Sequence, residues 1–569
     1  MANVPNPEHI RAIVDMGSNG IRLSLTSLSP PLTRLLPTLH QSRIPISLYD
    51  AQFPAPLPTS TSSCSSPSVR CPIPTSTIAL LTRHLLRFKA LCASFSVADR
   101  NVSLLATEAT RTAPNAAELI SAIKRETGWD VTLLPKEEEG RVGAYGVASS
   151  LGVVDGVVMD LGGGSTQLSV VGRSKNGRID IAGSASLPYG AAALARRMGT
   201  EKADGLETEV KGRLMEAVRG LGLRGGETTL YLSGGGFRGW GYLLMNRHPV
   251  QPYPVPIING FRAGREAFLD TMAVQELVAQ TTEAREGHDK KKPPGLFRIS
   301  ERRASQVPAV AFLIKALAEC LPRITQVRFC QGGVREGYLF GSLAPEVQVQ
   351  NPLEVATSPF ARGDNHQLGA ILRTSLPKEA RGRFIPDHIV QAFANTLYAH
   401  SNQVKDSRVS SALRFTTSGE LASTHGLSHE ERAMLSLLLC ERWGGRKDLP
   451  GTDEDFYHRL SRLLDDGTRW WCKYLGKAGG LCGAVWPAGY AASTDWDLQL
   501  TSSFSSGHGK RAEMVVSVKV RGGDNAVQEC KTMYEDELDD IEKVGKKKHW
   551  IGGRDGFGHK VDVQITLLE

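Results

Sequence analysis

The chain has 569 residues, 41% of them hydrophobic and 22% charged, with 58 Gly and 30 Pro, which excludes a disordered or fibrous protein and allows about three domains. Its net charge of +8, from 67 Lys and Arg against 59 Asp and Glu spread along the sequence, favours anionic partners only weakly and makes direct nucleic-acid binding unexpected. No run approaches ~18 apolar residues, no charged region at the N-terminus precedes a long apolar one, and the nine cysteines contain no C-x-x-C, so a cytoplasmic protein with reduced thiols and no membrane association is expected.

In chain order, RAIVDMGSNGIRLSLTSL (11–28) reads as a strand, Asp15, a glycine turn and a second strand. Residues 51–77 are rich in Pro, Ser and Thr with one charge, Arg70, and read as a disordered or loosely packed insertion. IALLTRHLLRFKAL (78–91) then has helical spacing. GVVMDLGGGSTQLSVV (156–171) repeats the layout of residues 11–28, with Asp160 in the place of Asp15, and the repetition implies two similar halves facing one another. TTEAREGHDKKKPPG (281–295) reads as an exposed loop, and a domain boundary is expected within 346–366. Beyond it, HEERAMLSLLLCERW (429–443) has a helical pattern and EMVVSVKV (513–520) a strand pattern. The runs Lys290-Lys291-Lys292 and Lys546-Lys547-Lys548 read as solvated loops.

The chemistry lies in the two glycine turns. A Walker-type loop needs a Lys after the glycines and then a helix; here no Lys follows, and the residues alternate like a strand. A strand-turn-strand hairpin can still hold phosphate if glycines at positive φ turn successive N–H groups into one concavity and hydroxyls add donors. Gly17, Ser18 and Asn19 would form one jaw, and Gly162, Gly163, Gly164, Ser165 and Thr166 the other. Asp15 and Asp160, at the strand ends, suit a hydrated divalent cation such as Mg²⁺. A single hairpin of this kind is more often a tight turn, and the duplication outweighs that reading.

These hairpins resemble the phosphate motifs of the actin, Hsp70 and sugar-kinase superfamily, and with four further stretches they resemble the exopolyphosphatase/guanosine pentaphosphate phosphatase (Ppx/GppA) family. The further stretches are LLATEATRTAPNAAELI (104–120), LLPKEEEGRVGAYGV (133–147), LYLSGGGFRGWGYLL (230–244), and the closing pair FRISERRASQVPAVAFL (297–313) with CQGGVREGYL (330–339). The resemblance implies an α/β fold: a duplicated actin/Hsp70/sugar-kinase-like (ribonuclease H-like) two-lobed core, with lobes at 10–150 and 151–345. A C-terminal mixed helical α/β module (346–569) follows, HD-like but with Cys440 and Glu441 where the His-Asp signature would fall.

By the same resemblance Glu139 activates or orients the attacking water, with Glu138 beside it, and Arg22 and Arg111 neutralise phosphate. For Arg111 the residues alone leave open a surface salt bridge with Glu108. Ser233, Gly234, Gly235 and Gly236 either approach a nucleotide or let a helix pack close to a strand. Three departures stand out: Gly20 for the family's usual Ser, Gly140 for Ala, and Gln167 for Glu. The expected ligand is ATP or another polyphosphate-bearing molecule, with Mg²⁺. Two functions follow. One is a sensor in mitochondria-to-nucleus retrograde signalling, acting through a regulatory protein partner upstream of transcription factors. The other is a Mg²⁺-dependent exopolyphosphatase or pppGpp phosphohydrolase. A homodimer is left open.

Overall fold

In the computed structural model the described residues are 6–53, 70–174, 177–223, 225–286, 299–363, 365–491, 498–505, 513–521 and 525–567. The chain divides into two compact units, Met1–His248 with Ile257–Gln350, and Pro249–Pro256 with Asn351–Glu569. Most of the Pro/Ser/Thr insertion, Cys64 and the run Lys290–Lys292 lie outside the described residues. The stretch expected to be a loop from residue 281 begins instead as the end of a helix, Thr271–Glu286, because its first six residues (TTEARE) continue the helical run before any Gly or Pro interrupts it.

The first unit contains one sheet topology twice. Strands β1 (Ile10–Gly17), β2 (Gly20–Ser27), β3 (Thr38–Ile44), β4 (Val102–Ala106) and β5 (Val131–Leu133) pair in the order β3-β2-β1-β4-β5. Strands β6 (Gly156–Leu161), β7 (Thr166–Arg173), β8 (Ile179–Leu187), β9 (Glu227–Gly234), β10 (Arg262–Gly264) and β11 (Arg323–Phe329) pair as β8-β7-β6-β9-β11, with β10 added at the edge. In each sheet the first three strands are antiparallel and the next two are added in parallel. This is the duplicated ribonuclease H-like core that the repeated hairpin requires.

Alternation along the central strands decides where the aspartates point. In β1, Ala12, Val14 and Met16 face a core built with the helices Thr75–Ser94 and Ala116–Thr127. Ile13 faces the other way, into a cluster with Ala148 of the helix Lys136–Ser149 and with Leu339 and Phe340 of the helix Val334–Gly341. Asp15 shares Ile13's face, since side chains of like parity share one side of a strand. In β6 it is Val158 that packs on Ala144 and Val147 of the same helix Lys136–Ser149, so Asp160 also faces it. One helix thus lies against the inward faces of both sheets.

That arrangement rests on backbone meeting backbone. A β-carbon at Gly337 would lie 1.8 Å from the Val142 carbonyl oxygen, one at Gly146 2.3 Å from the Gly333 carbonyl oxygen, and one at Gly332 1.9 Å from the Gly146 carbonyl oxygen. The glycines of the G-V and G-G-V-R-E-G motifs therefore let two helices touch without intervening side chains.

The second unit is mainly helical, including His429–Arg442, closed at its start by a Ser428–Glu431 capping box, and Asp466–Val485. It adds a sheet ordered β12 (Leu498–Phe504), β13 (Glu513–Val520), β14 (Lys560–Leu567). All eight described cysteines are buried and free. Among the described residues no helix is long and apolar enough to cross a membrane.

Gly337→Ala is expected to destabilise the first unit by about 3 kcal/mol or more, because the Val142 carbonyl cannot rotate aside. Gly205→Ala, in the helix Ala203–Gly220 with open space around it, should stabilise by up to ~1 kcal/mol. Thermal unfolding of the two variants side by side checks the contrast.

Candidate functional site: a charged cleft between the glycine hairpins

The turn of β1–β2 and the turn of β6–β7 face one another across a cleft of about 200 Å³. Register sets what stands beside each aspartate: Asp15 pairs with Arg22 across the first hairpin, and Asp160 with Gln167 across the second.

Glycines 162–164 do not adopt the positive φ expected of them. Close approach is the reason at Gly163 and Gly164 instead. A β-carbon on Gly163 would lie 2.5 Å from the Asn19 amide of the opposite jaw, and one on Gly164 2.1 Å from the Glu108 carboxylate. From below, the start of the helix Ala191–Met198 presses on the loop: Ala191 N–H donates to the Gly162 carbonyl at 2.9 Å and Ala192 N–H to the Gly163 carbonyl at 3.0 Å. A β-carbon on Gly190 would meet the Gly163 carbonyl oxygen at 2.2 Å. Gly234, by contrast, does need its freedom, with φ of 89° and no room for a β-carbon beside Leu161 and Asp160.

The cleft separates two kinds of charge. Asp15, Glu139 and Asp160 form its acidic floor. Burial pushes the Glu139 carboxyl up to about 7, against the lowering effect of Arg111, and pushes Asp160 up to about 6, against Arg22. Burial also raises Asp15, again opposed by Arg22. Neither aspartate carboxylate accepts a hydrogen bond from a described residue.

Arg22, Arg238 and Arg303 form the basic wall. None has a carboxylate within ion-pair distance among the described residues. Burial holds Arg238 down at about 10, with Arg22 and Arg303 repelling it, and lowers Arg303 as well. The Arg238 Nε is buried without a hydrogen-bond partner.

Of the residues expected from sequence, Asp15, Gly17, Ser18, Asn19 and Arg22 line the cleft from the first lobe, together with Glu139. Asp160, Gly162, Gly163 and Ser165 line it from the second, with Ser233, Gly234 and Gly235. Five others point elsewhere. Glu138 turns outward to Arg141, with both contacts at 2.9 Å. Thr166 is fully buried and donates to the Tyr189 carbonyl at 2.8 Å. Gly164 packs on Glu108, and Gly236 packs on Leu161 and Val310. Arg111 pairs with Glu139 at 3.0 Å and donates to the Leu134 carbonyl, so it fixes the carboxylate; Glu108 pairs with Arg70 instead. Ser233, although on the cleft, spends its hydroxyl on the Gly332 carbonyl at 2.7 Å.

The cleft also holds Arg43, Arg238, Arg303 and Gln331, for which no role was read from sequence. Three of them sit within the motifs GGGFRGW, SERRAS and CQGG, whose glycines and acids carry the stronger sequence signal. Arg43 comes from β3, where the sequence carries no signal.

Each departure from the family pattern has a local cause. A β-carbon on Gly20 would lie 2.9 Å from the Arg43 Nε, and Arg43 donates to the Asn19 carbonyl at 2.9 Å, so a guanidinium occupies the space of the lost hydroxyl. A β-carbon on Gly140 would lie 1.7 Å from the Ser184 hydroxyl, which accepts a hydrogen bond from Ser169 at 3.1 Å; that exchange is packing. Gln167 donates to the Ser165 hydroxyl oxygen at 3.0 Å. It removes one carboxylate from the floor.

Residues 70–346 match the Ppx/GppA phosphatase family, and residues 351–567 match the RTG2 C-terminal domain. Retrograde regulation protein 2 of Saccharomyces cerevisiae is 35% identical over 525 residues, spanning 89% of this chain and 84% of that protein. Among solved structures, a PPX-GPPA enzyme of Aquifex aeolicus is 22% identical with a TM-score of 0.44, covering 58% of this chain and 99% of its own. An exopolyphosphatase from Cytophaga hutchinsonii is 18% identical with a TM-score of 0.45, covering 58% and 96%.

The raised carboxyl pKa of Asp160 has a consequence for stability. A carboxyl raised on folding contributes stability that is complete below its unfolded value, 3.8 for Asp160, and is lost as pH rises through about 6. Asp160→Asn should therefore gain on the wild type between pH 5 and pH 8, in the absence of ligand and divalent cation, by about 1–2 kcal/mol. Melting temperatures of both proteins at the two pH values check this; an unchanged difference would refute it.

Proposed function

The chain belongs to the Ppx/GppA phosphatase family, with an RTG2 C-terminal domain behind the phosphatase-like core, and from that premise we propose that it is a regulatory protein which holds a phosphate-bearing ligand in the cleft. The observation that carries this is the basic wall: Arg22, on the first glycine hairpin, with Arg238 and Arg303, lines one cavity without a carboxylate partner among the described residues. Half-buried guanidinium groups repelling one another are stabilised by an anion, and a phosphoryl group accepts several charge-assisted hydrogen bonds at once. We take ATP or another polyphosphorylated molecule as the ligand. The cytoplasm is the proposed compartment, and a regulatory protein partner in retrograde, mitochondria-to-nucleus signalling is the proposed reader of the cleft's occupancy, upstream of transcription factors.

The acidic floor fits a hard divalent cation. Its donors are carboxylate oxygens, burial leaves Asp15 and Asp160 without hydrogen bonds, and Mg²⁺ commonly takes one or two carboxylates and completes its shell with water and phosphate. Among the described residues no group of three or more His, Cys, Asp or Glu forms an all-protein cage. Asp15 and Asp160 would hold the ion, which when bound supplies neutralisation of phosphate charge.

Arg238→Gln is expected to weaken ATP binding about tenfold or more, since a charged hydrogen bond contributes roughly 1.5–3 kcal/mol. Calorimetric titration with Mg²⁺ present measures it. Equal affinities in variant and wild type would remove the basis of this reading.

A second reading, hydrolysis of a terminal phosphoanhydride, is favoured by one observation: Glu139 stands on the cleft with its carboxyl near 7 and its orientation fixed by Arg111. In its ionised form it can take a proton from an attacking water while the wall guanidinium groups hold phosphoryl oxygens. Phosphate release from polyphosphate, ATP or pppGpp should then rise with pH through about 7 and vanish in Glu139→Gln. Arg111→Gln should move the midpoint to higher pH, because it removes the cation that lowers Glu139. Ligand binding with no release at any pH leaves the regulatory reading alone.

A further inference from the structure

The C-terminal unit contains a second concentration of positive charge that neither half of its sequence displays. A recess of about 560 Å³ is lined by seven Lys and Arg side chains against two carboxylates, Glu441 and Asp540. Both carboxylates are already engaged. Lys477 lies 3.7 Å from Glu441 and 3.4 Å from Asp540, and Tyr457 donates its hydroxyl to Glu441 at 2.7 Å. Asp540 also meets Lys543 at 3.5 Å.

Two cations of the recess are left over. Lys473, half-buried on the helix Asp466–Val485, donates to the His549 carbonyl at 3.2 Å and has no carboxylate partner among the described residues. Lys548, which lines the same recess, has none among them either. Burial lowers Lys473, with Glu441 opposing and Arg446 and Lys477 reinforcing; His549 is lowered by burial and then by Lys473, Lys548, Lys546 and Arg446. Arg446, Lys447, Arg469, Lys477 and Lys543 each have a carboxylate partner, so the uncompensated charge is that of Lys473 and Lys548, and an anion relieves it.

Shape and neighbours narrow the ligand. The volume falls in the range of small-molecule sites, roughly 300–1,000 Å³. Trp550, half-buried and fixed through its indole N–H to the Gly545 carbonyl at 3.1 Å, borders this recess and an adjoining one with Phe504, Phe557 and His559.

We propose that the C-terminal unit carries its own site for a small ligand bearing two or more phosphoryl groups, held by Lys473 and Lys548 and bordered by Trp550. It is separate from the interlobe cleft, and occupancy of either can be lost without the other.

Calorimetric titration of the full chain with inorganic tripolyphosphate and, separately, with ATP tests this. At least one probe should occupy two sites per chain. Lys473→Gln with Lys548→Gln should weaken one site about tenfold or more, Lys548→Gln alone should weaken it measurably from an exposed position, and Arg238→Gln should spare it. A site that survives Arg238→Gln but falls in the lysine variants supports the proposal even if the cleft binds nothing. Weaker binding of ATP but not of tripolyphosphate in Trp550→Phe identifies the ligand as a nucleotide; equal effects identify the phosphate chain alone. Titration of both probes that the lysine substitutions leave unchanged would overturn the proposal. So would single-stranded RNA bound in place of both probes and lost in the double variant, which would make the recess part of a nucleic-acid surface.

Discussion

Carbonyl oxygens of Val142, Gly146 and Gly333 lie where β-carbons of Gly337, Gly332 and Gly146 would have to be, and the rest of the first unit depends on that contact. Because two helices meet backbone to backbone, the helix Lys136–Ser149 can lie against both sheets at once. Asp15 of one strand, Asp160 of its repeat and Glu139 of that helix then reach one floor. Wider spacing would let water between them, and their carboxyls would titrate like ordinary surface acids.

The same economy of space governs the hairpins. Gly163 and Gly164 of the second jaw are there because Asn19 and Glu108 approach from one side and Gly190 from the other. Family departures are resolved by the same contacts. Gly20 admits the Arg43 guanidinium, Gly140 admits Ser184, and Gln167 exchanges a carboxylate for an amide that holds Ser165. The first adds positive charge to the jaw, the second is a matter of packing, and the third lowers the negative charge of the floor.

Positive charge is distributed in two ways that composition cannot reveal. Arg22, Arg238 and Arg303 come from three separate elements and meet at one wall. Lys473 and Lys548 are 75 residues apart in sequence and share one recess. The run Lys546–Lys548, read by itself, is a solvated loop; its proximity to a lysine-bearing helix changes what it can bind.

Periodicity and spacing by themselves determined the duplicated hairpins and the strand positions of Asp15 and Asp160, because each depends on residues within one or two elements, whereas Glu139 is singled out by the family resemblance alone. Local pattern also misled, as with Gly163 and Gly164, where glycine suggested positive φ and close packing was the cause. Only the tertiary structure decided that Arg111 serves Glu139, that Thr166 and Glu138 face away from the cleft, and that Arg43, Arg238 and Arg303 face into it. The reason is physical: a side chain's partner is set by which backbone lies opposite, and here those backbones come from segments tens to hundreds of residues away.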